Sequence, residues 1–400
     1  MRRSLLVIAA CSALGCQHRS NEYVIGAAGP QHLPYGELNQ QGVELAVEEI
    51  NHNGGIDGVP VRVVVRDDRG TGTEATRVAA EFSNNRAVMG VVGHVNSAAM
   101  VSAAEVYNNN HIVAIATSAS SPDLTGISPW VFRLITSDSS NGATLARFAS
   151  SFATTLHRRV RAAVLYQNDA YGRGLADAFL HHFDGEVISN DPMSPATDME
   201  PYVAFYKLKK PDVVFVAGDE TSGHPFLTEA RRQGLNSVFL AGDGWQPITT
   251  DPISEGVYIG VPFTAQSMDT TTQRFVAAYK AKYGQPPSAL AALAYDATKL
   301  LANAVAQAHG DRNLVQQYLK QLNAGHGYRG VAGTIWFNRG NDPAGDHFRI
   351  TRVEHGAMVP VPTTGVGTGT PAVTNAGPSA RPNAGANAGA NAGANAGAGA

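Results

Sequence analysis

The sequence predicts an α/β protein with two lobes, each built on a doubly wound parallel sheet. Short β-branched segments alternate with amphipathic helical segments along most of the 400 residues. The predicted strands are apolar on both faces, which is typical of parallel sheets with helices on each side. This alternation forms two series that meet near Asp138, and it therefore indicates two lobes.

The first series begins with a helix over about residues 36–53. Val43, Val47 and Ile50 lie on one face of this helix. Gly54-Gly55 is expected to end it, because glycine adopts the left-handed backbone conformation at least cost. Further helices are predicted around Val78 and after Ser97. Strands are predicted at Pro60–Val65, Val88–Val92 and Ile112–Ala116.

The second series begins with a helix near Asp138 and continues with strands. We expect these strands at Val160–Tyr166, Val187–Ser189, Val213–Ala217, Val238–Ala241 and Val257–Gly260. Two consecutive helical stretches follow, the second over about Ser288–Ala308, and they break the alternation. This break indicates that the chain returns to the first sheet. The last strands are predicted around Thr334–Phe337 and His347–Val353.

Composition excludes several classes of function. Lys and Arg total 30 against 33 Asp and Glu. The chain therefore lacks the excess of basic residues that would indicate a nucleic-acid partner. The sequence contains no phosphate-loop Gly-Lys-Ser/Thr, no His-Glu-x-x-His and no Gly-x-Ser-x-Gly. His181-His182 is interpreted as a pair of solvated helix residues, since adjacent helix positions face different ways. We therefore expect neither an enzyme nor a cofactor or metal.

The first residues predict export. Arg2 and Arg3 precede an apolar run that is too short to cross a membrane, as in a secretory signal over residues 1–15. Ala13-Leu14-Gly15-Cys16 resembles a bacterial lipobox, which implies a lipid on Cys16 and a tether over 16–22. Ile8-Ala9-Ala10-Cys11 fits the aliphatic preference of that motif better but leaves a shorter apolar run. A plain cleaved signal is the alternative to lipidation.

The other end of the chain is a low-complexity segment. From Pro360 to Ala400 it consists mainly of Gly, Pro, Thr, Ala and Asn, and it closes on Asn-Ala-Gly-Ala units. Such a composition cannot form a core, so we predict a disordered tail over 360–400.

Many short motifs occur in one order along the chain. They include Ala46-Val47-Glu48-Glu49-Ile50-Asn51, Val92-Gly93-His94 followed by Ser97, Pro211-Asp212-Val213-Val214 and Tyr295-Asp296-Ala297. Together they resemble the periplasmic leucine/isoleucine/valine-binding proteins of type I fold, from about Tyr23 to Val353. The resemblance implies a three-segment hinge between lobe 1 (residues 23–138 and 264–335) and lobe 2 (139–263 and 336–359).

The same resemblance implies a function. It points to a monomeric, exported receptor, periplasmic or on the cell surface, that closes around an amino-acid-like ligand. Such a receptor delivers its ligand to an ABC importer in the membrane. A sensory receptor for a membrane signalling partner is the alternative, and an extracellular enzyme is less expected.

Lobe 1 offers donors for a ligand carboxylate. Ser97 follows a strand and is expected to cap the next helix, whose N-terminus carries free N–H groups and partial positive charge. The resemblance also makes Ser97 the carboxylate-binding serine and aligns Ser118 and Ser120 with ligand-contacting positions. A Ser-rich turn before Pro122 is the alternative for these two.

Lobe 2 offers a tyrosine and two acids. By resemblance, Tyr171 contacts the ligand and Asp243 pairs with its ammonium, where the branched-chain receptors carry the longer Glu. Asp219 aligns with an aromatic position of those receptors, so two carboxylates in one cleft would suit a ligand with extra positive or polar groups. Helix capping is the alternative for Asp219. Tyr35 and Trp245 are expected as pocket walls, one from each lobe, unless they pack within their own lobes.

Overall fold

The computed structural model describes residues 22–194, 197–345 and 348–361, which form two sheets with helices on both sides. The predicted signal peptide over 1–15, Cys16 and its tether up to residue 21 lie outside the described residues. The predicted tail lies outside them from residue 362 onwards.

Lobe 1 begins with strands and helices that alternate along the chain. They are β1 Tyr23–Gly29, α1 Pro34–His52, β2 Val61–Asp67, α2 Gly72–Asn84, β3 Val88–Val92, α3 Ser97–Asn109, β4 Ala114–Ala116 and β5 Val131–Arg133. The five strands pair in parallel in the order β2-β1-β3-β4-β5. Ile25 of β1 packs on the side of α1, whereas Val24 packs on the side of α2 and α3. The sheet is therefore covered on both faces, as the doubly apolar strands predict.

Helix α1 shows how local sequence sets an element's bounds. It begins at Pro34, where the missing N–H costs nothing because the first helical position has no partner for it. After Asn53 the chain turns through Gly54 and Gly55, with φ of 95° and 75°. These positive φ values favour glycine, and the predicted helix end is confirmed.

Lobe 2 repeats the alternation. Its elements are α4 Asp138–Ser151, α5 Ala153–Leu156, β6 Val160–Gln167, α6 Ala170–His182, β7 Gly185–Met193, α7 Glu200–Lys209, β8 Val213–Ala217, α8 Glu220–Gln233, β9 Val238–Ala241 and β10 Tyr258–Val261. These strands are parallel in the order β10-β9-β8-β6-β7. The two lobes confirm the predicted α/β fold class.

The chain then returns to lobe 1, as the break in the alternation predicts. This part comprises α9 Thr270–Tyr283, α10 Ala289–Gln307, α11 Arg312–Gln321, β11 Tyr328–Arg329 and β12 Thr334–Ile335. Phe275 of α9 packs with Leu45 of α1, and α10 crosses α1 so closely that a methyl on Gly42 would lie 2.1 Å from the Ala291 carbonyl oxygen.

Two last strands, β13 Arg349–Glu354 and β14 Ala357–Pro360, form an antiparallel hairpin on the β10 edge of the lobe 2 sheet. Pro360 pairs with Thr351 and belongs to the fold, so assigning it to the tail was wrong. The positive φ of Gly356, 78°, allows the tight turn that brings this segment back onto β13.

The polypeptide crosses between the lobes three times, between β5 and α4, between β10 and α9, and between β12 and β13. Arg133 at the first crossing and Asp342 at the third form a largely buried ion pair, with 2.6 Å between Nε and Oδ1. Arg133 also donates to the carbonyl oxygens of Ser120 and Ser121. These contacts join two crossings to the lobe 1 loop that carries Ser118.

Candidate ligand-binding site

A cavity lies between the lobes, beyond the carboxyl ends of the parallel strands. Lobe 1 lines it with Tyr35, Gly70, Val95, Asn96, Ser97, Ala98, Ser118 and Leu290. Lobe 2 lines it with Asp169, Tyr171, Asp219, Glu220, Asp243 and Gly244. The lining includes six of the eight ligand-binding residues predicted from the sequence, and it lacks Ser120 and Trp245.

Ser97 lies in the cavity wall but does not cap α3. It is the first residue of that helix, and Asn96 occupies the capping position. The Ser97 hydroxyl oxygen instead accepts hydrogen bonds from the backbone N–H groups of Ser120 and Ser121, each at 3.1 Å. Ser97 therefore anchors the loop after β4, and its hydroxyl still has one O–H to donate.

The side chains of Ser118 and Ser120, both in that loop, have different partners. The Ser118 hydroxyl lines the cavity and donates to Asp243 Oδ2 at 3.1 Å. Ser120 is fully buried and donates to Asp138 Oδ2 at 2.9 Å, away from the cavity. Placing Ser120 in the ligand site was wrong, because a second bond, from the Asp138 N–H to the Ser120 carbonyl, ties this residue to the start of α4.

Asp243 follows β9 at the start of a short 3-10 helix, Asp243–Ile248, and is almost fully buried. Its carboxylate accepts hydrogen bonds from Ser118 and, at 3.3 Å, from the Tyr171 hydroxyl. Burial raises the pKa of Asp243 to about 6, although both bonds oppose the increase. The group is thus mainly ionised at neutral pH and has lone pairs left for a ligand cation.

Two further carboxylates cap helices and also line the cavity. Asp169 Oδ1 accepts the Gly172 N–H at 2.8 Å and caps α6, and Asp219 Oδ1 accepts the Thr221 N–H at 3.0 Å and caps α8. Asp219 therefore caps α8, as one sequence interpretation expects, and it also lies in the cavity wall, where ligand binding stays a prediction. The Oδ2 atoms of both carboxylates face the side-chain amide of Gln167. Its Nε2 lies 2.9 Å from Asp169 Oδ2 and 3.5 Å from Asp219 Oδ2.

Glu220 is a lining residue that the sequence analysis missed, as it missed Asp169. It is 7 % exposed, and neither carboxylate oxygen has a hydrogen-bond partner of ordinary geometry among the described residues. The pKa of Glu220 is raised to about 8, mainly by burial and secondly by the charge of Asp219. Hydrogen bonding by the backbone N–H groups of Glu220 and Tyr35 lowers this pKa and offsets the increase only in part. An acid directly after a strand end, beside a predicted site residue, was the signal that could have found it.

Of the two aromatic residues predicted as pocket walls, one lines the cavity and the other does not. Tyr35 lines it beside Val95 and Leu290, and the Tyr35 hydroxyl accepts a hydrogen bond from the Asn96 side-chain amide at 2.6 Å. Trp245 is fully buried in the lobe 2 core beneath α8, where a methyl on Gly223 would lie 2.4 Å from its ring. Predicting Trp245 as a pocket wall was wrong, because the turn that places Asp243 in the cavity directs Trp245 to the opposite side.

The described part of the chain contains neither a metal-binding cluster nor a helix that could span a membrane. No group of three or more His, Cys, Asp or Glu side chains could hold a metal ion there. No helix of that part combines the length and apolar content that a bilayer crossing requires.

The sequence matches the family described as periplasmic binding protein over residues 23–357. The chain belongs to this family. Among curated proteins, the Leu/Ile/Val-binding protein of Escherichia coli (strain K12) is 28% identical over 306 residues, 74% of this chain and 82% of that protein. The leucine/isoleucine/valine-binding resemblance drawn from the motifs is therefore confirmed.

Solved structures of related binding proteins have a similar fold. An ABC transporter substrate-binding protein from Desulfitobacterium hafniense in complex with Leu is 29% identical, with a TM-score of 0.73 over 85% of this chain and 100% of that one. A branched-chain amino acid transporter substrate-binding protein from Streptococcus pneumoniae in complex with isoleucine is 26% identical, with a TM-score of 0.76 over 85% and 99%. These matches confirm the two-lobed fold.

This periplasmic binding protein has an asymmetric site. All four lining carboxylates belong to lobe 2, whereas lobe 1 contributes hydroxyl groups, an amide, apolar side chains and the N-terminus of α3. A helix N-terminus favours anions, and buried carboxylates favour cations. The two faces therefore suit a small ligand that carries both kinds of charge.

Proposed function

We propose that this binding protein captures an amino acid between its lobes and delivers it, chemically unchanged, to an ABC importer. The observation that carries the proposal is the opposition of Asp243 in lobe 2 to Ser97, Ser118 and the α3 N-terminus in lobe 1. An amino acid offers an ammonium to the first and a carboxylate to the second. Relatives whose solved structures hold leucine or isoleucine support the same class of ligand.

Ligand capture proceeds by lobe closure. The three crossings form the hinge, and a ligand that contacts both lobes favours the closed state, since only that state makes both sets of contacts. Asp243 and Tyr171 of lobe 2 then receive the ammonium, and the hydroxyl and N–H donors of lobe 1 receive the carboxylate.

Export and anchoring complete the proposal. The receptor acts as a monomer outside the cytoplasm, with residues 1–15 removed and Cys16 lipidated at the bacterial membrane. The charged start, short apolar run and lipobox-like Cys16 support this part. The intact mass of protein from the membrane fraction tests it: a diacylated Cys16 is expected, and an unmodified N-terminus would contradict it.

Titration calorimetry tests the ligand class. Mature protein is unfolded and refolded to remove retained ligand, and then titrated with the twenty common amino acids. At least one should bind, and small-angle scattering should show a smaller radius of gyration at saturation. If no amino acid binds, or if compactness is identical with and without a saturating ligand, the proposal is wrong.

A further inference from the structure

The cavity contains more carboxylate than one ammonium needs. Asp169, Asp219 and Glu220, here called the acidic trio, line it together with Asp243. The trio forms a group of its own, because the Gln167 amide lies between the Asp169 and Asp219 carboxylates and Glu220 directly follows Asp219 in the chain. The raised pKa of Asp243 comes from burial and is opposed by Ser118 and Tyr171. The site therefore has two negative regions.

In the described part of the chain, no cationic side chain lines the second region. Among the lining residues that the structure describes, none is Lys, Arg or His. The Gln167 amide serves Asp169 and Asp219, and helix capping occupies one oxygen of each. Glu220 remains 7 % exposed, and neither of its oxygens has a hydrogen-bond partner of ordinary geometry among the described residues. Burial without a counter-charge favours the neutral form of Glu220, and a cation supplied at this place would favour the ionised form and gain an unscreened ion pair.

A metal ion does not fit that place. No group of three or more candidate ligands in the described ranges converges closely enough to hold one. An organic cation needs only hydrogen-bond acceptors spread around its N–H groups. The apolar side chains of Val95 and Leu290, beside Tyr35 in the same wall, suit the methylene stem that such a group requires.

We propose that the ligand is an amino acid with a second cationic group on its side chain, which binds the acidic trio while the α-ammonium binds Asp243. This inference rests on the proposed amino-acid function and names its ligand class. It departs from the aliphatic ligands of the related structures, because a neutral side chain would leave Glu220 without a partner. Diamino acids and guanidino amino acids are the chemical class.

The test compares ligands that differ in charge at nearly constant shape. Ligand-free mature protein is titrated by calorimetry at pH 7.5 with L-lysine against L-norleucine, and with L-arginine against L-citrulline. At least one cationic member should bind about ten-fold or more tightly than its neutral partner, as expected when a buried carboxylate gains its counter-charge.

Variants test whether the preference for cationic over neutral ligands comes from the acidic trio. Glu220→Gln should reduce the preference for the cationic member of each pair by about ten-fold. Glu105→Gln makes the same change at an exposed position of α3 outside the cavity and should leave the preference unaltered. Asp219→Asn is the second variant; asparagine also caps helices, so it lowers the trio's charge without removing the cap.

Each outcome decides. If both neutral partners bind as tightly as the cationic members, the inference is overturned and the amino-acid function stands. If a preference persists in both Glu220→Gln and Asp219→Asn, the trio is not its source and the assignment is overturned. If none of the four ligands nor any common amino acid binds, the proposed function fails together with the inference.

Discussion

The Ser118 hydroxyl of lobe 1 donates a hydrogen bond to the Asp243 carboxylate of lobe 2, with 3.1 Å between Oγ and Oδ2. This contact joins the lobes at the cavity itself. It also fixes one oxygen of the group that we expect to bind the ligand ammonium, and Tyr171 fixes the other. A receptor built in this way couples ligand contact to closure, because the same carboxylate takes part in both.

Asp243→Ala should weaken amino-acid binding by roughly 3 to 5 kcal/mol, the usual cost of removing one partner of a buried charge pair. Titration calorimetry of the ligand-free protein measures this. Asp184→Ala, at an exposed position outside the cavity, is the matched control and should bind as the unaltered protein does. Unchanged affinity in Asp243→Ala would show that the ammonium binds elsewhere.

Affinity for a neutral amino acid should rise with pH between 5 and 7. Burial raises the pKa of Asp243 to about 6, and only its ionised form attracts the ammonium, so binding releases a proton. The dissociation constant at pH 5 should be about ten-fold higher than at pH 7. In Asp243→Asn this pH dependence should disappear. The same slope in the variant would exclude Asp243 as its origin.

Glu220→Gln should stabilise the ligand-free protein, and more so at higher pH. The folded-state pKa of about 8 lies above the unfolded value of 4.5, so the wild-type protein loses stability as the pH rises between these values. The variant, neutral throughout, should gain roughly 1 to 3 kcal/mol at pH 7.5 and almost nothing near pH 4.5. Denaturant unfolding at both pH values measures it, with Glu105→Gln as control. An equal difference at both pH values would contradict the burial of an unpaired carboxyl.

Ser118→Ala and Ser120→Ala should have different effects. Ser118 lies at the cavity and on Asp243, so its loss should weaken ligand binding. Ser120 satisfies the buried Asp138, so its loss should cost roughly 1 to 3 kcal/mol of unfolding free energy with little change in affinity. Calorimetry and denaturant unfolding of both variants separate the two roles. A larger loss of affinity in Ser120→Ala than in Ser118→Ala would reverse our assignment.

Most of the fold could be predicted from the sequence, because its main signals are local. Apolar runs with turn residues at each end place β3, β8 and β9 at the predicted residues. The hairpin partner β14 escaped prediction, since Ala357–Pro360 is short, mostly exposed and followed directly by the low-complexity segment.

The site was predicted less completely, because position after a strand does not give side-chain direction. Ser118 and Ser120 occupy the same loop, yet only tertiary contacts with Asp138 turn Ser120 away. Asp243 and Trp245 lie in one turn, and the lobe 2 core takes the larger apolar side chain. Leu290 reaches the cavity from α10, which no strand-end rule can find.

The most direct test of the account is the identity of the molecule that the protein retains when it is purified under native conditions. Denaturation followed by mass spectrometry of the released small molecules should recover an intact compound with a carboxylate and an amino group, and by our further inference a second basic nitrogen. Recovery of a carboxylic acid without an amine, or of a chemically converted product, would contradict the central claim.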